Sequence, residues 1–517
     1  MLWLALHLPL LPLEAFCATL SAQDAARPVA LLAEHRVAQL NTAAAERGLR
    51  PGIKRATALT LAAELLLAEA HPGREAAALQ AVAHAALAFT PAVCLHGPQT
   101  VLLEVQASLR LFGGLPALQQ RLQAALAPLG HRVHAAAAPT ACGAALLAQW
   151  HPRGAGDLVQ GRHAMGLPAP QALQALQTLL DRAPVQLLGA GREHADALLG
   201  MGLHTLGDLR ALPRAGLARR FGEALLDETD RALGLQPDPR QPLQLPACFD
   251  SRLELFARAD TADQVLHGAQ VLLARLVAWA QARHARVAAF TLRMLHEKAR
   301  HTATPPTELR IELAEPALDP AHLQGLLRER LGRLALIAPT LDLHLHCSQL
   351  VAGHAPNGEL FPTRHSQAEG LTRLIERLRA RLGDEQVSSL VVVADHRPEC
   401  ASRAVPVAGL FSAAASGPVV PPTAQEGLPL HRPIWLLPEP MPLAERDAMP
   451  VLHGQTLQLV SGPERIETGW WDDASVARDY FIARAHDGCL VWIYRSRLPA
   501  APGQMAQAAW HLQGLFG

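Results

Sequence analysis

Three groups of residues in this 517-residue chain have the types and spacing for chemistry or recognition. The first is Arg214, Arg219 and Arg220, in a stretch punctuated by glycine turns, GMGLHTLGDL and LPRAGLARRFG. Glycine turns between short helices can offer backbone N–H groups to a phosphate while a nearby arginine supplies charge. The same pattern also suits a small helical packing module. The second group is Asp395, His396 and Glu399 in ADHRPEC, which carries metal-ligand chemistry at a spacing that matches no standard motif; a strand end with an Arg–carboxylate pair accounts for it better. The third is an aromatic set, Trp470, Trp471, Tyr480, Trp492 and Tyr494, able to stack bases or to form the core of a small β module, the reading preferred here. The seven cysteines are scattered with no C-x-x-C pair, so neither a disulfide framework nor a zinc module is expected. The 25 histidines show no metal-binding cluster.

Elements must position these residues, and the length is enough for several domains at about 100–200 residues each. Half the residues are hydrophobic and 18% are charged, which excludes a largely disordered chain. Lys+Arg and Asp+Glu are equal at 46, so a generally basic surface is excluded while a local basic groove is not. Only Lys54 and Lys298 are lysines. The opening MLWLALHLPLLPLEAF has no basic n-region and is too short to span a bilayer; it reads as a buried strand. A soluble, cytoplasmic protein with no membrane partner is expected.

Within 1–165, strands are expected at Leu2–Leu8, Pro28–Ala33, Thr100–Val105 and Arg132–Ala137, with helices at Glu75–Phe89 and Leu115–Ala127. Residues 166–240 read as short helices, and a Pro-rich joint follows at 236–249. Residues 250–350 read as β-α-β-β-α-β, a split-βαβ domain. A linker at 351–370 precedes a C-terminal region at 371–517, which opens with an amphipathic helix. Five of the eight tryptophans and both tyrosines lie from Trp435 onwards, marking a β-leaning module.

In this order, the chain resembles the Y-family (UmuC/DinB-type) DNA polymerases over roughly 1–350, and within them the ImuB-like branch of mutagenesis accessory proteins. The motifs that carry the resemblance are GLRPGI (48–53), SLRLFGG (108–114), TLGDLRALPRAGLARRFG (205–222), ADHRPE (394–399), RPIWLLPEP (432–440) and SGPERIETGWWD (461–472). The resemblance implies an α+β multidomain fold. It assigns 1–165 to palm and fingers, 166–240 to a helix-hairpin-helix thumb and 250–350 to a little finger, and adds a C-terminal α/β module for protein contacts. It also directs attention to metal-binding carboxylates, since nucleotidyl transfer uses two metal ions held by hard oxygen ligands. At the matching positions this chain has His7, Pro9, Gln99 and Thr100, and the first strand has no acidic residue before Glu14. Thr42 and Ala45 stand where the family has its Tyr/Arg triphosphate grip, and the usual palm lysine is missing. The expectation is therefore a chain without catalytic residues, metal or cofactor.

PNGELFP (356–362) resembles the sliding-clamp peptide, with Leu360 and Phe361 as anchors and Asn357 where Gln is usual. The alternative is a linker whose Leu-Phe packs on its own domain. The family's partners imply weak contact with primer-template DNA, a sliding clamp, an error-prone C-family polymerase and a RecA-like accessory protein. An adaptor in damage-induced translesion synthesis is the first expectation. Rivals are an active lesion-bypass polymerase with atypical ligands, and a helix-hairpin-helix repair factor that binds no clamp.

Overall fold

Alternating side chains in β1 (Trp3–His7) face two layers, and this sets the first domain. Leu4 and Leu6 enter a core with Val82, Val101, Leu103 and Leu118, while Ala5 joins Leu102, Ala136 and Ala138 on the other face. β1 lies between β6 (Thr100–Glu104) and β7 (His134–Ala138), antiparallel to both, and β5 (Val93–His96) borders β6. The helices Pro72–Leu87 and Leu115–Leu126 cover the Leu4/Leu6 face. The other face is closed by the helix Ala141–Trp150 and by apolar residues of the following helical segment, among them Val185, Leu188 and Leu206. The structure, a computed structural model, describes residues 1–150, 169–297, 304–353, 364–407, 432–472, 474–497 and 509–516.

A second, three-stranded sheet joins β2 (Val29–Ala33) with β3 (Arg36–Leu40) and, in parallel, β4 (Leu66–Glu69). The short helices Ala195–Gly200, Leu206–Arg210, Arg214–Phe221 and Glu223–Leu233 then follow one another with glycine at two of the joints, Gly202 and Gly222, both at positive φ. No helix or strand interrupts 236–248, as the proline content of that joint dictates.

The next domain opens with β8 (Phe249–Ala259). The helix Ala262–Ala282 starts at a capping box between Thr261 and Gln264 and buries Trp279 and Leu272. β9 (Ala285–His296), β10 (Thr307–Ala317), the helix Pro320–Gly332 and β11 (Thr340–Ala352) complete the β-α-β-β-α-β order. The sheet runs β10-β9-β11-β8, so β11 splits the pair that the first helix connects.

The chain divides into two compact units, Met1–Arg381 and Leu382–Gly517. The helix Arg364–Leu382, assigned from sequence to the C-terminal region, falls almost wholly in the first unit. The reason is polar: the buried Glu376 carboxylate accepts a hydrogen bond from Ala314 N and meets His322 Nε2 at 2.9 Å. Leu371, Leu374 and Leu382 of this amphipathic helix are exposed.

Beyond that helix, the second unit is built of strands and 3-10 turns among its described residues. β12 (Ser388–Val392) pairs with β13 (Ser402–Pro406). A seven-stranded sheet has the order β16-β15-β14-β20-β19-β18-β17. Its strands are β14 (Trp435–Arg446), β15 (Met449–Leu452), β16 (Gln455–Thr456), β17 (Gln458–Thr468), β18 (Val476–Arg484), β19 (Leu490–Ser496) and β20 (Trp510–Leu515). The last strand therefore inserts between β14 and β19.

Candidate functional site

The antiparallel register of β1 and β6 places His7 directly opposite Thr100, and the two side chains join, His7 Nδ1 to Thr100 Oγ1 at 3.0 Å. Gln99 holds the end of the same strand pair through its carbonyl, which accepts Leu8 N at 2.8 Å. Pro9 follows immediately, and its carbonyl accepts a hydrogen bond from Gln39 Nε2 at 2.9 Å. The four positions expected from sequence are thus brought together at one end of the sheet. Burial pulls the His7 pKa down to about 4, and the nearby His134 and Arg192 push it in the same direction. His7 is therefore neutral at pH 7, in surroundings that oppose a further positive charge.

An imidazole and a hydroxyl near the Arg192 guanidinium do not fit magnesium, which takes hard, preferably anionic oxygen ligands. The two acidic residues that could compensate do not converge. Glu14 accepts the Arg132 N–H at 3.1 Å and lies 3.3 Å from His131 Nδ1. Glu104 pairs with Trp3 at the far end of β1 and accepts N–H groups of Leu2 and Gln106. Four strand steps of about 3.3 Å separate the Glu104 level from His7.

The helical segment keeps one of its three arginines for itself. Arg214 forks onto Asp230, with Nη1 to Oδ1 at 2.9 Å, so its charge is already matched. Arg219 and Arg220 are exposed in the last turn of their helix. The first glycine turn is also closed internally. The His204 and Thr205 amides donate to Asp208 Oδ2, and the amides of Leu206 and Gly207 donate to Ala183 and Asp181 carbonyls. These N–H groups are spent on the fold, leaving the two exposed arginines as the accessible cations of the three.

Sequence reasoning missed a neighbouring cluster. Arg240, in the Pro-rich joint, reaches His96 Nδ1 at 3.0 Å, Asp238 Oδ2 at 2.7 Å and Cys142 Sγ at 3.0 Å. Burial and Asp238 push the Cys142 thiol up to about 12, so it is no nucleophile. Residues 142 and 240 lie far apart in sequence, and no local spacing could have signalled their contact.

In the second unit, ADHRPEC is a structural clasp. Arg397 binds Asp395 through Nη2 at 2.6 Å and Asp472 through Nη2 at 2.6 Å. Glu399 accepts from Arg478 at 2.8 Å and from Gln513 at 2.8 Å. His396 is exposed. Among the described residues, no group of three or more His, Cys, Asp or Glu side chains is placed to hold a metal ion. The aromatic set divides by strand parity. Tyr480, Trp492 and Tyr494 are buried, with the Tyr480 and Trp492 rings stacked at 4.2 Å. Trp470 and Trp471 lie on a loop and are 75% and 57% exposed. Asn357, Leu360 and Phe361 lie outside the described residues. Among the described residues, no helix is long and apolar enough to cross a membrane.

No family model matches the chain. Two curated relatives are called Protein ImuB, from Caulobacter vibrioides strain NA1000 / CB15N and from strain ATCC 19089 / CIP 103742 / CB 15. Each is 29% identical over 493 residues, spanning 91% of this chain and all of the relative. Among solved structures, a Dbh ternary complex superposes with a TM-score of 0.36 at 14% identity, over 67% of this chain and 98% of that chain. DinB from Sulfolobus solfataricus gives a TM-score of 0.34 at 15% identity, over 68% of this chain and all of that one. Both superpositions are loose. The chain is thus similar to both curated ImuB relatives along their whole length.

Proposed function

We propose that the chain is a non-catalytic homologue of Y-family DNA polymerases that acts as an adaptor in damage-induced mutagenic translesion synthesis. It links the sliding clamp, DNA and an error-prone C-family polymerase. The observation that carries this reading is the His7–Thr100 pair. Two positions that would hold metal-binding carboxylates instead hold each other, with Arg192 and His134 nearby. An imidazole and a hydroxyl near a guanidinium offer no anionic oxygen to the ions on which phosphoryl transfer depends. A body of this kind contributes by holding other molecules. Arg219 and Arg220 supply a modest grip on DNA phosphates, Leu360 and Phe361 dock on the clamp with Asn357 at the rim, and the second unit recruits protein partners, including a RecA-like accessory protein. The chain acts in the cytoplasm, where its unpaired cysteines remain reduced.

Two assays test the proposal. Primer extension with magnesium or manganese is expected to show no template-dependent incorporation; incorporation abolished by Glu104→Ala would favour an active polymerase. Clamp pull-down is expected to fail for the Leu360→Ala/Phe361→Ala variant. Unchanged capture would remove the peptide and leave a DNA-binding repair factor.

A further inference from the structure

The first unit contains a cavity of about 730 Å³ between the helix Pro72–Leu87, the Pro-rich joint, β8 and the helix Ala262–Ala282. It is remote from His7, because the helix Pro72–Leu87 packs on the opposite, Leu4/Leu6 face of the first sheet. Its central polar group is Arg275, a guanidinium only 5% exposed that lines the cavity. Its hydrogen bond is from Nη1 to Ser251 Oγ at 3.2 Å, and among the described residues no carboxylate pairs with it. Burial alone draws its pKa down to about 10. A guanidinium has five N–H donors and keeps its charge, so a buried one facing a cavity calls for an acceptor.

The other charged groups on the wall do not meet that need. Asp250 is 2.6 Å from His344 Nε2 and also faces His346. Arg252 is bound to Asp342, and Glu254 lies in the field of Arg74 and Arg252. Arg74 adds a second under-used cation, since its buried Nε has no hydrogen-bond partner. On the same face of β8 as Ser251, Phe249 and Leu253 add apolar side chains to the lining. The volume falls in the range of small-ligand pockets, about 300–1,000 Å³. Cations beside apolar side chains match a ligand with a phosphate head and a ring body.

We propose that this cavity binds a phosphorylated small molecule of nucleotide size, with its phosphate on Arg275 and Arg74 and its ring system against Phe249 and Leu253. The site is independent of the adaptor role and of the His7 region. The test is equilibrium dialysis of the full chain with AMP and with inorganic phosphate as probes. AMP is expected to saturate, and phosphate to compete roughly tenfold or more weakly, because it lacks the ring. Arg275→Gln is expected to weaken AMP by roughly tenfold or more. Arg74→Gln and the cavity-filling Ala77→Phe leave the buried arginine in place and give an independent reading should Arg275→Gln not fold; both are expected to weaken AMP. Absence of saturable AMP binding, AMP affinity unchanged in all three variants, or phosphate binding as tightly as AMP would each overturn the proposal.

Discussion

Replacing Glu376 tests how the first unit ends. Its carboxylate is the polar anchor between the helix Arg364–Leu382 and the β-α-β-β-α-β domain, bonded to Ala314 N and His322 Nε2. Both the glutamate and the histidine are buried, at 7% and 8% exposure. Hydrogen bonds to a charged group contribute about 1.5–3 kcal/mol each. Glu376→Ala removes two of them and strands a buried N–H and an imidazole, so a loss of about 3–5 kcal/mol is expected. Most of that loss should appear as release of the helix, because with its leucines exposed the small Ala380 is its buried apolar contact among the described residues. Hydrogen exchange of the full chain reads this directly: amides of 370–381 should lose protection while those of β9 and β11 keep theirs. Glu376→Gln, which retains one acceptor, should cost less than half as much. Unchanged protection of 370–381 in Glu376→Ala would refute the reasoning and show that the helix is held by contacts other than the carboxylate.

Three further outcomes follow from the geometry. His7 and His84 both have pKa values drawn down to about 4 by burial, whereas the unfolded chain takes up those protons near the ordinary 6.5. Stability is therefore fully present above pH 6.5 and is lost as pH falls through 4, by about 2 kcal/mol per histidine once partial exposure is allowed for; urea midpoints measured from neutral to acid pH should fall, and His84→Gln should flatten the curve. In DNA-binding titrations, Arg219→Ala/Arg220→Ala should lower the log–log salt slope by about 1.8, at about 0.9 per phosphate, while Arg214→Ala, whose cation belongs to Asp230, should leave the slope unchanged. Trp510→Ala opens a cavity beside Leu443, Ile493 and Leu512 and should destabilise the second unit by about 3–5 kcal/mol, read as a lower transition for that unit alone.

The parts of this fold that could be read in advance are those where local pattern and burial agree. The alternation in TLDLHLHCSQL gives β11, and Thr261 with Gln264 marks the helix start that the capping box occupies. The expected strands in 1–165 lie within one or two residues of β1, β2, β6 and β7. The helix Leu11–Cys17 was hidden because its apolar residues continue those of β1, although Pro12 at its start is a helix signal. The helix Arg364–Leu382 reads as amphipathic, yet what it buries is the Glu376 carboxylate and the small Ala380, not its leucines. The candidate site shows the same division. Strand pairing makes His7 and Thr100 neighbours, whereas the Arg214–Asp230 pair and the spent amides of the glycine turn depend on side-chain geometry. Arg275 reads in sequence as one more polar residue on a long helix; its isolation exists only in three dimensions.

The placement of β20 also orders events in time. Trp510–Leu515, made after all the other strands of this sheet, supply the strand that joins β14 to the β17–β19 half. During synthesis the N-terminal unit can form its cores while the second unit is still two unjoined ribbons with open edges, the state most exposed to strand pairing with other chains. A stop before Trp510 would therefore leave the first unit folded and the seven-stranded sheet of the second unable to close.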